Sequence, residues 1–107
     1  MRRKIIDKAL AEFKAELGKI YGPRLSRLIL YGSYARGNAR ADSDLDLAVV
    51  LKGKVQPGKE IDRMLDAVVE MNLNHQVLIS IYPVSERDFR FRKSPLLMNI
   101  HKEGERI

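Results

Sequence analysis

The chain has 107 residues, enough for one small hydrophobic core, and we predict a single domain over residues 1–107. It contains no cysteine, which excludes disulfides, thiolate metal sites and cysteine nucleophiles. No apolar run is long enough for a transmembrane helix and the N-terminus does not resemble a signal peptide, so we expect a cytoplasmic protein. The net charge of +6 favours an anionic partner, but it fits a nucleotide, a nucleic acid or a merely solvated basic surface equally well.

The first third of the chain predicts a helix, a strand and a turn. Apolar residues at three- and four-residue spacing predict an amphipathic helix over about residues 2–19, ended by Gly18 and the Gly22–Pro23 pair. The short apolar run 28–31 predicts a buried strand, and residues 33–43 predict a turn with room for one helical turn. The apolar face of the helix is assigned to Ile6, Leu10, Phe13, Leu17 and Ile20.

The middle of the chain predicts two strands around a second helix. Residues 45–51, LDLAVVL, are apolar except for Asp46 and predict a buried strand. A second amphipathic helix is predicted over about residues 59–73, and a third strand over 76–82 that ends at Pro83. The core face of this helix is assigned to Ile61, Leu65, Val68 and Val69.

The C-terminal segment predicts short helices. Ser85 and Asp88 resemble a capping box, and Pro95 suits the first turn of a last helix that runs to about Gly104. Strands that alternate with helical stretches predict an α/β architecture with helices packed on a small sheet. The link of about a dozen residues between the first two strands fits a crossover or a long hairpin, and the sequence does not decide between them.

Two carboxylates stand at the start of the second strand. Asp44 and Asp46 are two residues apart, so both project from the same strand face, about 6–7 Å apart along the chain. Two like charges on one face repel each other, and a cation between them removes the cost. Mg²⁺ prefers oxygen ligands and binds one or two carboxylates together with phosphate oxygens. The opposite, core-facing positions are held by Leu45, Leu47, Val49 and Leu51.

The turn before these carboxylates suits an anion. At Gly32 a phosphate can approach the backbone closely, and Ser33 adds a hydroxyl donor. If Ser33 opens a helical turn, the N-terminal dipole of that turn also favours an anion. Arg36 and Arg40 follow, in position to neutralise a triphosphate. A phosphate-binding turn beside a metal-binding carboxylate pair is the arrangement that phosphoryl and nucleotidyl transfer require.

Each element of this pattern also has a plain structural interpretation. A lone Gly-Ser turn is usually only a turn, and an Asp-x-Asp pair at a strand start is often a solvated edge. The two together, ten residues apart and followed by an apolar strand, favour a functional site.

The segment GSYARGNARADSDLDLAVV resembles the Gly-Ser-x10-Asp-x-Asp signature of the DNA polymerase beta nucleotidyltransferase superfamily. Within it, the chain is similar to the minimal nucleotidyltransferases, many of which are antitoxins encoded beside a small helical HEPN-domain toxin. The resemblance implies a palm-like fold with a small mixed sheet, phosphate binding by Gly32 and Ser33, and Mg²⁺ held by Asp44 and Asp46. It further implies transfer of an NMP group, AMP from ATP, to a hydroxyl acceptor, such as a tyrosine of the partner toxin.

The third strand departs from the superfamily pattern. The superfamily supplies a third carboxylate from a later strand, whereas residues 76–82 contain no acid, and Ser80 is the best candidate for that position. This leaves an alternative from another class, a catalytically weak or inactive protein of this fold that neutralises its partner by contact. A nucleic-acid-binding module driven by the positive charge ranks third, because no basic stretch is interleaved with aromatic residues.

Some residues receive a structural assignment. His75 and His101 are interpreted as structural or solvent-facing, and Tyr34 as lining a pocket or packing on the core. Two groups remain open between a bland and an interactive role. One is a basic run that is either solvated or in contact with an acidic partner: Arg87, Arg90, Arg92 and Lys93. The other is an apolar group, mostly core, whose exposed share is an interaction surface: Leu96, Leu97, Met98 and Ile100.

Overall fold

The computed structural model describes residues 2–40 and 42–107, and the side chain of Arg2 is outside that description. The described residues form a four-stranded sheet with five α-helices, and a short 3₁₀ turn joins the first helix to the first strand. In chain order the elements are α1 (Arg2–Tyr21), β1 (Leu25–Tyr31), α2 (Ser33–Arg36), β2 (Leu45–Leu51), α3 (Pro57–His75), β3 (Ile79–Ser85), α4 (Glu86–Phe91), α5 (Pro95–Glu103) and β4 (Glu105–Arg106).

The sheet is mixed, as the resemblance implied. Its strand order is β3-β2-β1-β4; β1 is antiparallel to both β2 and β4, and β2 is parallel to β3. The link between β1 and β2 is therefore a long hairpin connection and not a crossover, since antiparallel neighbours need no crossover. The parallel pair β2 and β3 is joined through α3, which is the usual crossover element.

Helices cover both faces of the sheet. On one face α1 and α3 pack over the larger apolar cluster, to which β2 contributes Leu45, Leu47 and Val49. On the other face α4 and α5 contribute to a smaller cluster with Ala48 and Val50 of β2. The alternation predicted for β2 is confirmed, because residues of one parity face α1 and α3 and those of the other parity face away.

The first helix is two residues longer than predicted. Gly18 lies inside α1, and the helix ends at Tyr21, where Gly22 takes a φ of 54°. The prediction that Ile20 belongs to the core is wrong, because its side chain is 39% exposed and Tyr21 is buried instead. The burial of Tyr21 against α3 outweighs the cost of about 1 kcal/mol for a glycine within a helix. The predicted core residues Ile6, Leu10, Phe13 and Leu17 are confirmed.

The face that α3 turns to the core differs from the predicted one. Ile61, Leu65 and Val69 are exposed, and of the predicted set only Val68 is buried. Both faces of this helix carry apolar residues at helical spacing, so periodicity alone does not select one. The buried side chains are Glu60, Met64, Ala67, Val68 and Met71.

The third strand starts and ends later than predicted. It covers Ile79–Ser85, so Pro83 lies within the strand rather than at its end. Proline is tolerated there because β3 is at the edge of the sheet, where a missing N–H need not break a ladder. The sequence analysis also missed β4, which pairs with β1, and placed the start of β1 three residues too late.

The last two helices begin at serine caps. Ser85 accepts a hydrogen bond from the amide of Asp88 at 3.0 Å, as predicted, and Ser94 does the same for Leu97 at 3.1 Å. The terminal apolar group divides evenly between core and surface: Leu97 and Ile100 are buried, whereas Leu96 and Met98 are exposed. None of the described helices is long and apolar enough to cross a membrane.

Candidate functional site

The strand register brings three polar side chains into one row. Tyr31 of β1 pairs with Asp46 of β2, and Asp46 pairs with Ser80 of β3. Directly paired residues in neighbouring strands project from the same face, so the three lie side by side. This is the face that α4 and α5 cover further along the sheet.

Gly32 and Asp46 are in intimate contact. The carboxylate of Asp46 lies where a side chain at position 32 would begin, and a Cβ there would clash with its Oδ2 atom. Gly32 also has a φ of 78°, a region that residues with a side chain rarely adopt. A glycine is therefore required at the end of β1 for the turn and the carboxylate to meet.

Asp44 and Asp46 differ in their surroundings. Asp44 is exposed just before β2, whereas Asp46 is half-buried between Tyr31 and Ser80. Burial raises the pKa of the Asp46 carboxyl above its ordinary value, the charge of Asp44 raises it further, and the Arg36 guanidinium lowers it. The ionised pair is thus electrostatically costly in the protein alone, as the sequence suggested.

The two carboxylates fit a magnesium ion whose remaining ligands come from a substrate and water. No group of three potential metal ligands occurs among the described residues, so a site closed by protein ligands alone is not present there. Mg²⁺ keeps several non-protein ligands and often uses only one or two carboxylates with phosphate oxygens. A half-buried carboxylate beside a second one, facing a turn that lacks a side chain, suits such an ion.

The helical turn expected after Gly32 is present. α2 is one turn long, and the amide of Arg36 donates to the carbonyl of Gly32 at 3.0 Å. So short a helix has little dipole, so the attraction for an anion that the sequence analysis expected from this dipole is weak. The Arg40 backbone closes a separate turn with Ser43, and its guanidinium forms no ion pair with any described residue.

Glu103 is a member of this site that the sequence analysis missed. Its Oε1 atom accepts hydrogen bonds from the backbone amide of Gly32, at 3.3 Å, and from Nη1 of Arg36, at 3.1 Å. The side chain comes from the last residue of α5, 71 positions from Gly32 in the chain. No local sequence pattern signals a contact over that separation.

Tyr31 and Tyr82 lie on the same face of the sheet as Asp46. Ala48 lies between Ile29 and Tyr82 in the neighbouring row of the same face. Burial raises the pKa of the Tyr31 phenol, and the charges of Asp46 and Tyr82 raise it further. Tyr31 is therefore close both to the Asp46 carboxylate and to Tyr82, a feature that was not predicted.

The residues assigned to structural roles have them. His75 contacts Glu12 of α1, and His101 stacks on Phe89 with a ring-centroid distance of 4.2 Å. Tyr34 is half-buried and packs on the larger apolar cluster. The basic run is exposed at all four positions, Arg87, Arg90, Arg92 and Lys93.

A separate cleft of about 670 Å³ lies toward the other end of β3. It is lined by the 53–57 loop, the end of β3 and α4, and it includes neither Gly32 nor the carboxylate pair. The carboxylate pair and the glycine turn that the sequence analysis singled out meet at the Gly32–Asp46 contact, outside this cleft. We therefore assign the candidate site to the Gly32–Asp46 contact.

The fold and this site define a class, an α/β protein in which a glycine turn lies against a half-buried aspartate, and sequence comparison supplies the family. The family described as Nucleotidyltransferase domain matches residues 8–103. The chain belongs to this family, which confirms the expected enzyme class.

Three relatives from Methanocaldococcus jannaschii carry the provisional name protein adenylyltransferase. MJ1305 is 36% identical over 104 residues, covering 94% of this chain and 69% of the relative. MJ0604 is 35% identical over 83 residues, covering 78% and 77% respectively, and MJ0141 is 33% identical over 75 residues, covering 70% and 75%.

Solved structures share the fold. A toxin–antitoxin structure with AMP-PNP superimposes with a TM-score of 0.62 at 17% identity, covering 88% of this chain and 68% of that one. A mutant of the toxin–antitoxin MntA-HpeT superimposes with a TM-score of 0.58 at 14% identity, covering 86% and 66%. These similarities confirm the predicted α/β fold.

Proposed function

We propose that this chain transfers an NMP group, AMP from ATP, to a hydroxyl acceptor in an Mg²⁺-dependent reaction. One observation carries the proposal: the half-buried carboxylate of Asp46 lies beside Asp44 and directly against the backbone of Gly32. This contact supports the proposal, because nucleotidyl transfer requires metal-binding carboxylates next to the groups that bind the phosphates.

Each residue of the site has a role in this proposal. Asp44 and Asp46 hold the magnesium ion, which when bound neutralises phosphate charge and polarises the phosphoryl oxygens. The Gly32–Ser33 turn binds the β- and γ-phosphates through its backbone and the serine hydroxyl. Arg36 and Arg40 add positive charge against the triphosphate, which stabilises the charge that develops on transfer.

The acceptor we propose is a tyrosine hydroxyl of a small helical HEPN-domain toxin encoded nearby, so that the chain acts as an antitoxin in the cytoplasm. The provisional name of the relatives, protein adenylyltransferase, supports a protein acceptor. The toxin–antitoxin structures with this fold support a toxin as the partner.

A second function is favoured by Ser80. This residue lies beside Asp46, where a third carboxylate would complete the site, and serine is a weak ligand and a poor base. The chain could then retain nucleotide binding but neutralise its partner by contact alone. This alternative predicts that neutralisation survives the loss of both aspartates.

The test is an incubation of the purified chain with ATP and Mg²⁺, with and without the genomic neighbour, read by mass spectrometry for added AMP. We expect an adduct on the partner that is lost in Asp44→Asn and in Asp46→Asn. Asp42→Asn is the matched control, because Asp42 is exposed in the same loop but lies outside the carboxylate pair. An adduct that persists in both site variants would refute the transferase proposal.

The same variants separate catalysis from contact in a growth assay. If the Asp44→Asn and Asp46→Asn variants no longer neutralise the toxin while Asp42→Asn does, the antitoxin acts by chemistry. If all three neutralise it, contact is sufficient and the second function stands.

A further inference from the structure

A carboxylate of this chain holds two of the donors that the proposed function assigns to phosphate. Oε1 of Glu103 accepts from the Gly32 amide at 3.3 Å and from Arg36 Nη1 at 3.1 Å. Carboxylate and phosphate oxygens bind the same kinds of donor, an N–H group and a guanidinium. A single oxygen of Glu103 thus makes both contacts expected of a phosphate oxygen.

The chain after Glu103 is anchored at several points. The amide of Gly104 donates to the carbonyl of Ile100 at 2.8 Å, and a side chain at position 104 would clash with that carbonyl and with Ile29. The next residues form β4 against β1, and the amide of Ile107 donates to the carbonyl of Leu28 at 2.9 Å. The backbone of Glu103 is therefore held beside the turn, and only its side chain is free to leave.

We propose that Glu103 is an internal competitor for the phosphate site, so that a bound triphosphate displaces its carboxylate and Glu103 lowers the affinity for nucleotide. This inference rests on the proposed function of the Gly32–Ser33 turn. The Gly32 amide and the same Arg36 nitrogen cannot serve both anions fully. An ionised Glu103 left in contact would also repel the phosphates, as Asp44 and Asp46 would without a cation.

The expected competition is moderate because the contact is partly solvated. The side chains of Glu103 and Arg36 are 22% and 48% exposed, and ion pairs open to water contribute little. Glu103 has flexible torsions that let the carboxylate turn into solvent while the backbone stays anchored. The residue therefore adjusts affinity and does not block the site.

The test is the dissociation constant of ATP and of tripolyphosphate, each with Mg²⁺, measured by calorimetry on the full chain. We expect Glu103→Gln to tighten both by about two- to fivefold relative to the wild type. Glu105→Gln is the matched control, since it removes the same charge two residues away, where the carboxylate pairs with Arg3. We expect that control to change either constant by less than about 1.5-fold.

A second variant separates contact from charge. Glu103→Asp keeps the charge but shortens the side chain. If the contact with Gly32 and Arg36 causes the competition, this variant should bind nucleotide more tightly than the wild type. If only the negative charge matters, its affinity should equal that of the wild type. A Gly-labelled NMR spectrum should show the Gly32 amide shifting in Glu103→Gln, and shifting in the wild type when tripolyphosphate is added.

Weaker binding by Glu103→Gln, or a change equal to that of Glu105→Gln, would overturn the inference. If neither the wild type nor Glu103→Gln binds tripolyphosphate or ATP, the inference fails together with the proposed function. If AMP transfer occurs but Glu103→Gln does not tighten binding, only the inference fails. If Glu103→Gln binds nucleotide more tightly but no AMP transfer occurs, the inference is supported and the transferase proposal is contradicted.

Discussion

Ser80 of β3 is the direct partner of Asp46 in the parallel pair of strands. The side chains of the two residues project from the same face of the sheet, at the distance of neighbouring strands. We propose that Ser80 takes the position of the third carboxylate beside Asp44 and Asp46. Substituting Ser80 by an acidic residue tests whether a missing third carboxylate limits the rate of AMP transfer.

We expect Ser80→Asp to increase AMP transfer by about tenfold or more, because it supplies both a metal ligand and a general base. Asn74→Asp is the control, since Asn74 is exposed near the end of α3 and this substitution adds the same charge away from the strand row of Asp46 and Ser80. Initial rates at saturating ATP and Mg²⁺ measure the effect. Equal rates for the two variants would show that position 80 is not the missing carboxylate.

Gly32→Ala should abolish nucleotide binding and lower the free energy of unfolding by about 1–3 kcal/mol, because the added Cβ clashes with Asp46 at a positive φ. Gly37→Ala is a close control: Gly37 has a φ of 79° but open space around it. It should lose only about 1 kcal/mol of stability and keep nucleotide binding. Urea unfolding and calorimetry measure the two quantities, and equal losses of binding would contradict the assignment of Gly32.

Asp46→Asn should raise the free energy of unfolding at pH 7 by on the order of 0.5 kcal/mol in the absence of divalent ions. The pKa of Asp46 is raised in the folded protein, so its ionised form is disfavoured there relative to the unfolded chain. The penalty is fully present above the folded-state pKa and disappears as the pH falls below the unfolded value, so the two proteins should converge in acid.

Magnesium should make the wild type more stable than Asp46→Asn. Added Mg²⁺ should raise the Tm of the wild type, because it binds the folded protein, and leave that of Asp46→Asn nearly unchanged. Thermal unfolding with and without the ion measures this, with Ca²⁺-free buffer throughout. Equal shifts in both proteins would place the ion elsewhere.

Tyr21→Phe should cost about 1–2 kcal/mol, because the hydroxyl of Tyr21 donates to the buried Glu60 carboxylate at 3.1 Å. Burial first, and then Glu60, raise the pKa of Tyr21 to about 12. A raised tyrosine pKa stabilises the fold below the ordinary value near 10, and this contribution is lost as the pH rises toward 12. The free energy of unfolding, measured by urea titration between pH 8 and 12, should therefore fall more steeply for the wild type than for Tyr21→Phe. Parallel curves for the two proteins would contradict the raised pKa of Tyr21.

Local patterns in the sequence were sufficient for most elements and for the pairing of the aspartates. The bounds of β2 were predicted correctly, because a short segment that is apolar except for Asp46, between a turn and Gly53, has few other interpretations. The placement of Asp46 opposite the buried leucines followed from the two-residue period of a strand. The caps at Ser85 and the start of α5 at Pro95 also depend only on neighbours in the chain.

The tertiary structure alone decided what depends on distant contacts. Which apolar face of α3 is buried depends on Tyr21 and α1, and both faces carry a helical period. The contact between Glu103 and Gly32 joins residues 71 apart, and the neighbour of Asp46 on β3 depends on strand register. By itself the sequence determined most of the elements and predicted a carboxylate pair after the Gly32 turn, because these are local properties of the chain. Only the packing of helices and strands decided which side chains from other segments join that site, because side chains distant in sequence meet only when the fold brings them together.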